Sequence, residues 1–358
     1  MTRRITQTDI ARAAGVHSTT VSLALRNSPS IPAATRERIC AIAAQMGYAP
    51  DPVLGALVAY RHGRRGGAPA ETIAYVTRWN SRWGWQAMPG HRELHAGAAR
   101  RAAELGYRLE HFWLGEPGMT GRRLGDILAA RGIGGVVFAS RAAAPDRPVE
   151  LDWSRFSAVR IDRFPHEPSL HHVTNDQLRV IRLAVQRTLA AGHRRIGLVM
   201  PRAWDALVDQ AWSTGFLAEQ ARLPASARLP ALLYVETPTR PDAPEPHPID
   251  PAALDRWLRE HRPEVILGHA PAVLEPLRAC GREVPRDAGF VDLFLESGDG
   301  RIAGIRHHCA RVGEVAIDLL VSQIRQNIRG IPAVPTATLV EGTWVDGATL
   351  PVASAAVA

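Results

Sequence analysis

The sequence predicts an α/β protein in two parts: a three-helix helix-turn-helix head with a hinge helix, then a two-lobed body built on parallel sheets. Three observations carry this. Between Arg4 and Tyr60, short helical segments with apolar spacing are separated by tight-turn residues. From Glu71 the pattern changes to continuous apolar strands alternating with amphipathic helices, which is the mark of parallel sheets. That alternation runs twice, in halves whose crossing connections would form a cleft at the strand C-termini. The expected boundaries are 1–60 for head and hinge helix, 61–70 for a linker, 71–350 for the two lobes and 351–358 for a tail.

The head is read from its caps. Gln7 to Ala14 forms the first helix, because Thr6-x-x-Asp9 fits a capping box and Gly15 can close the helix in the left-handed conformation. Gly15-Val16-His17 is the turn. Ser18 to Leu25 is the second helix, seated on the first through Val16, Val21 and Leu25. Ser18, Thr19 and Thr20 project near its start, where short hydroxyl side chains could bond phosphates and base edges or satisfy helix-start amides. In a helix-turn-helix the second helix lies in the DNA major groove. Pro32 suits the first turn of a third helix whose Ile39, Ile42, Ala43 and Met46 share a face, and Gly47 ends it. Asp51 and Pro52 then start a short helix, Val53 to Tyr60, with an apolar face of Val53, Leu54, Leu57 and Val58. Eight residues do not hold helix alone, so this segment needs a partner: its copy from a second subunit and the DNA minor groove. Arg61 to Ala70 reads as a flexible basic linker.

Charge agrees with this division. Residues 1–66 hold nine arginines against Asp9, Glu37 and Asp51, so +6 of the chain's +8 lies there. A basic module on a near-neutral body is the electrostatic footprint of phosphate contacts. All 43 basic residues are arginine, which removes a P-loop lysine, a Schiff-base lysine and a lysine general base together. The start, Met1-Thr2-Arg3-Arg4-Ile5, has no apolar secretory stretch, and no run approaches the roughly 18–20 apolar residues of a membrane span. Three widely spaced cysteines, Cys40, Cys280 and Cys309, fit a reducing compartment. A cytoplasmic protein without membrane association is therefore expected.

In the body, strands are expected at Thr72–Val76, Tyr107–Phe112, Gly135–Ala139, Arg195–Met200, Val265–Leu267 and Ala288–Val291. Helices are expected at His91–Leu105, Gly121–Ala130, Arg179–Ala191, Trp212–Gln220, Ala253–His261 and Val273–Cys280. The loops after strands should touch a ligand. Trp79, Asn80, Trp83 and Trp85 follow the first strand, and aromatic faces beside an amide suit either a sugar ring or plain packing. Arg141, Asp162, His269 and Asp292 follow later strands.

The residues Asp9-Ile10-Ala11, Ala14-Gly15-Val16, Thr20-Val21-Ser22, Thr35-Arg36-Glu37-Arg38-Ile39 and Gly47-Tyr48-Ala49-Pro50-Asp51 have the order and spacing of a known head. The segment resembles the DNA-binding head of the LacI/GalR family of bacterial transcription regulators. Gly192-His193-Arg194-Arg195-Ile196, Val284-Pro285-Arg286-Asp287, Gly330-Ile331-Pro332 and Val340 to Val345 extend the likeness to about residue 350. The resemblance implies a periplasmic-binding-protein-like body that senses a small molecule, carbohydrate by expectation. It implies that Ser18, Thr19 and Leu23 occupy base-reading positions and that Leu57 is a hinge leucine wedged into the operator's minor groove. The expected DNA-contacting set is Thr6, Thr8, His17, Ser18, Thr19, Thr20, Ser22, Leu23, Arg26, Arg36, Leu54 and Leu57. The resemblance also places Asn175 and Asp176, Trp204, and Trp212 (where relatives carry an arginine) among the effector contacts. Four departures change the base readout: His17 for a serine, Leu23 for an arginine, Arg26 for an asparagine, and Gly55-Ala56 before the hinge leucine.

Catalytic readings find little. His91-Arg92-Glu93-Leu94-His95 misplaces the glutamate of a zinc-protease helix, and His307-His308-Cys309 lacks a second ligand pair. Gly132 to Gly135 precedes a strand and is a turn, not a phosphate cradle. No catalytic residue, metal or cofactor is expected. The leading expectation is a homodimer that binds a pseudo-palindromic double-stranded DNA operator under effector control. The alternative is a sugar-binding protein or sugar-acting enzyme with a basic N-terminus.

Overall fold

The computed structural model describes residues 5–25, 31–48, 71–139, 148–163, 167–236, 248–296 and 298–352. The expected hinge helix and linker, and with them Arg26, Leu54, Leu57 and Arg141, lie outside the described residues.

In the head, α1 (Gln7–Ala14), α2 (Ser18–Leu25) and α3 (Ala33–Gln45) close over one small core. The capping box is formed: the Thr6 N–H donates to Asp9 Oδ2 at 2.9 Å, and the Asp9 N–H donates to Thr6 Oγ1 at 3.4 Å. Gly15 ends α1 at φ +65, a conformation a Cβ would disfavour. Pro32 stands at the cap of α3, one residue ahead of its first turn. Gln7 Nε2 donates to the Tyr48 hydroxyl at 3.2 Å, tying α1 to the end of α3. Thr6→Ala is expected to cost the head about 1 kcal/mol, read as a lower midpoint for its unfolding.

The body holds two six-stranded sheets. The first runs β11 (Ala337–Val340), β5 (His172–Asn175), β4 (Ser157–Ile161), β3 (Gly135–Phe138), β1 (Glu71–Thr77), β2 (Tyr107–Trp113), all parallel. The second runs β12 (Thr343–Val345), β10 (Ala303–Arg306), β9 (Gly289–Leu295), β8 (Val265–Gly268), β6 (Ile196–Pro201), β7 (Leu232–Tyr234), with only β12 antiparallel to its neighbour. Both sheets are covered on two faces, which is why their central strands are apolar without alternation. In the first lobe α4 (Pro89–Glu104) and α11 (Cys309–Gln326) pack on one face and α5 (Gly121–Ala130) on the other. In the second, α6 (Gln177–Ala190), the short α7 (Arg202–Leu207) and α8 (Ala211–Gln220) cover one face, α9 (Pro251–His261) and α10 (Ala270–Ala279) the other.

Helix starts move outward from the expected positions because prolines and caps extend them. Pro89 occupies the first turn of α4, and Asp176 caps α6 by accepting from the Arg179 N–H at 2.9 Å. The helix α10 begins at Ala270 rather than Val273, with a proline tolerated in its first turn. The helix α11 is not among the elements expected from sequence, although it is the longest described. It leaves the second sheet after β10 and packs back on the first lobe. With the passages β5 to α6 and β11 to β12, it makes three crossings between the lobes.

Candidate DNA-reading head and ligand cleft

The second helix of the head presents its start to solvent. His17 replaces a hydroxyl cap and still caps the helix, since its Nδ1 lies 2.9 Å from Thr19 Oγ1 and accepts from the Thr19 N–H at 3.4 Å. Thr6, Thr8, His17, Thr19 and Leu23 are exposed; Ser18, Thr20, Ser22 and Arg36 are half-buried. Leu23 is 40% exposed, an apolar side chain on a face that otherwise carries hydroxyls. Such a side chain offers contact to a thymine methyl rather than a hydrogen bond to guanine. Two expected contacts have local employment as well. The Thr6 hydroxyl donates to Asp9 Oδ2 at 2.6 Å, and Arg36 donates to the Ile31 carbonyl at 2.5 Å.

Between the lobes lies a cavity of about 560 Å³. Its first-lobe wall is the start of α4, Asp162 and Arg163 after β4, and the crossing from Thr174 to Leu178. Its second-lobe wall is Trp204, Leu207 to Asp209, Ala211, Trp212, Thr214, His269, Phe294 to Glu296, and Arg306, His307 and Cys309 from the crossing after β10. These are strand C-terminal ends and the loops that follow, where open α/β sheets take ligands. The structure thus brings together Asp162, Asn175, Asp176, Trp204, Trp212 and His269 from distant parts of the chain.

Asp292 sits behind this wall rather than in it. It is buried, accepts from the Phe294 N–H at 2.9 Å, and stands 3.7 Å from His269 Nδ1. Trp79, Asn80 and Trp83 are not part of the lining. Their loop wraps around buried Trp85, whose ring lies 4.7 Å from His95 and 6.3 Å from Trp83. Trp79 reaches the cleft only through His91, against which it packs edge-on at 4.9 Å. Burial holds His111, in the same cluster, down at about 4.

Phe294 and His307 are absent from the expected contacts, yet they form the centre of the aromatic floor. Phe294 packs against Trp212 at 5.0 Å, His269 at 5.2 Å, His307 at 5.3 Å and Trp204 at 5.5 Å. Both residues lie at or just after strand ends, so the loop-after-strand rule reaches them once β9 runs to Leu295 and β10 is recognised. Burial lowers the His307 pKa to about 4, leaving a neutral ring at pH 7, and raises that of the Cys309 thiol to about 12. His307 and Cys309 line the cleft, and among the described residues no group of three His, Cys, Asp or Glu could hold a metal ion. Trp212 Nε1 donates to Gln177 Oε1 at 2.9 Å, which fixes the indole on the second lobe. Arg163 of the first lobe meets Asp209 of the second at 2.6 Å across the cleft. Both side chains are largely exposed, so this bridge adds little stability.

A short helical head with a solvent-facing second helix, carried on two lobes around a ligand-sized cleft, defines a class: a DNA-binding regulator with a small-molecule sensor. Comparison with known proteins gives the family. Residues 6–51 match the family model "Bacterial regulatory proteins, lacI family", and residues 185–350 match "Periplasmic binding protein-like domain". The HTH-type transcriptional regulator CelR of Thermobifida fusca is 28% identical over 90% of this chain and 92% of its own length. An HTH-type transcriptional regulator of Mycobacterium tuberculosis is 30% identical over 56% of this chain, and the maltose regulon regulatory protein MalI of Escherichia coli 27% over 54%. The chain spans about half the length of these last two relatives, 53% of each. Among solved structures, a transcriptional regulator CelR–cellobiose complex has a TM-score of 0.57 at 22% identity, covering 97% of this chain and all of that one. The lac repressor dimer bound to operator and an anti-inducer has a TM-score of 0.55 at 18% identity, covering 98% of this chain and all of that one. The chain thus carries the head of the lacI family of bacterial regulatory proteins and, behind it, a periplasmic-binding-protein-like domain. Its curated relatives are transcriptional regulators, and it stands with them rather than with enzymes. Among the described residues no helix is long and apolar enough to cross a membrane.

Proposed function

We propose that the protein binds a pseudo-palindromic DNA operator as a homodimer, in the cytoplasm, under control of a small carbohydrate held in the cleft. The observation that carries this is the head: α2 exposes His17, Thr19 and Leu23 on a segment holding most of the chain's positive charge. Two such heads would read half-sites about one helical turn apart. Residues 1–60 form the head and hinge in this reading, and 71–350 the sensor. The cleft's aromatic floor suits the apolar face of a sugar ring, and a CelR–cellobiose complex shares the fold. A ligand bridging both lobes would change their closure and so bias whether the hinge segment orders on DNA.

The test is a paired measurement on Leu57→Ala. Losing a minor-groove wedge is expected to weaken operator affinity about 10- to 100-fold, roughly 1.4–2.8 kcal/mol. Effector affinity stays unchanged in the same preparation. Footprinting on genomic DNA at two salt concentrations identifies the operator, because phosphate contacts make the affinity fall steeply with salt. Equal operator binding by variant and wild type would refute the hinge role.

A further inference from the structure

We infer that α2 selects an amino base, adenine or cytosine, through the hydroxyl of Thr19, and that His17 sets this choice by taking up that hydroxyl's proton. The inference rests on reading the head as a DNA-binding unit and says which base chemistry its second helix accepts.

His17 stands just ahead of α2, and its carbonyl accepts from the Thr20 and Val21 N–H groups at 2.9 and 3.2 Å, as a cap residue's does. Its ring closes over the helix start, where Nδ1 accepts from the Thr19 N–H at 3.4 Å. A backbone N–H only donates, so Nδ1 is the bare nitrogen and the ring proton sits on Nε2. Thr19 Oγ1 lies 2.9 Å from that same Nδ1. Between a bare nitrogen and a hydroxyl, the hydroxyl is the donor. A hydroxyl has one proton and two lone pairs, so Thr19 Oγ1 presents lone pairs alone to whatever approaches from outside. His17 is a positioning residue here: it fixes the polarity of an oxygen that would otherwise rotate to suit either partner.

The rest of α2 leaves that oxygen a deciding part. Thr19 and Leu23 are exposed one turn apart, while Val21 and Ala24 are buried in the head's core. In a helix-turn-helix, residues near the start of the second helix meet base edges in the major groove. The helix, Ser18 to Leu25, carries no arginine, lysine, asparagine or glutamine, the side chains that bond purines in pairs of contacts. Leu23 supplies apolar contact and no competing hydrogen bond. In the major groove adenine N6 and cytosine N4 are donors, whereas guanine O6 and thymine O4 are acceptors. An oxygen whose proton is directed at His17 bonds the first pair and leaves the second unmatched.

The full-length protein is used to select sites from a fully randomised duplex library, in parallel with Thr19→Val, His17→Ala and His17→Asn. Thr19→Val keeps the side chain's shape and removes the hydroxyl, so the position at which it erases a base preference is the one residue 19 reads. There the wild type is expected to favour adenine or cytosine over guanine or thymine on one strand by about 5- to 10-fold, the effect of one hydrogen bond. Replacing that adenine with purine, or that cytosine with 2-pyrimidinone, deletes only the amino group and is expected to lose the same factor. His17→Ala lets the hydroxyl donate again, so the preference falls toward parity at this position alone. His17→Asn, whose Oδ1 takes the place of Nδ1 as acceptor, retains it. A cap that acted only on helix stability would weaken all sequences alike. A guanine or thymine preference at that position, no loss on deleting the amine, a ratio unmoved by His17→Ala, or a Thr19→Val variant that alters no position each overturns the inference. In those cases a symmetric site has still been selected, and the regulator reading stands. Enrichment of no symmetric site overturns both.

Discussion

Replacing Ile39 with alanine is expected to abolish operator binding while the sensor body stays folded. The head's core consists of Ile10, Ala11, Ala14, Val21, Ala24, Ile39 and Ala43, with a rim of partly buried side chains. Four of these are alanines, so Ile10, Val21 and Ile39 are the branched side chains among its buried residues. Ile39 is fully buried. Truncating a buried isoleucine costs about 2–5 kcal/mol, and a helical unit this small has little stability in reserve. No residue of that cluster belongs to the cores of the body, so the damage is confined. Calorimetric unfolding of the full chain will show the head transition lost and the body transition kept, and operator affinity will fall at least 100-fold. A variant that binds operator within twofold of wild type contradicts this account of the head.

The second large effect lies where α4 and α11 touch. A Cβ on Gly97 would stand 2.0 Å from the carbonyl oxygen of Ala310, and one on Gly313 would stand 2.1 Å from that of Leu94. The two glycines let the helix backbones meet directly, and no rotamer change can relieve a clash with backbone. Gly97→Ala therefore forces the helices apart and opens the core of the first lobe around Leu94, Ala98, Val312 and Ala316. Overpacking of this kind costs about 3 kcal/mol or more. In a body of this size that lowers the melting temperature by roughly 6–12 °C. Gly134→Ala is the control, because a Cβ there would meet nothing within 4 Å. Similar melting of both variants would show that α4 and α11 do not pack as described. The same substitution is expected to weaken ligand binding, since the start of α4 forms one wall of the cleft.

The head was legible nearly to the residue. Its signals are local: Thr6 and Asp9 bond each other across one turn, and Gly15 takes a backbone conformation that other residues avoid. The bounds of α1 and α2 follow from such features without knowledge of anything more distant. In the body, strands and helices were legible as alternating apolar runs, with ends displaced by caps such as Asp176 and by Pro89. The helix α11 shows why the rest was not. Its Val312, Ala316, Ile317, Leu320 and Val321 have plain helical spacing, but it breaks the strand–helix rhythm by returning to the other lobe.

The cleft lies at the far end of that scale. Trp79, Asn80 and Trp83 follow the first strand as ligand-contacting residues would, but their loop buries Trp85 and turns from the cavity. Phe294 and His307 have no distinguishing neighbours in sequence, and they meet because β9 and β10 run side by side. The chemical types available to the molecule, its basic head and the edges of its helices were all written in short stretches of chain, because capping, turn preference and apolar spacing act over a few residues. The choice of which Trp, His and Asp line the cleft came from three crossings between two sheets, because a pocket is assembled from residues far apart in sequence that only packing can bring within bonding distance.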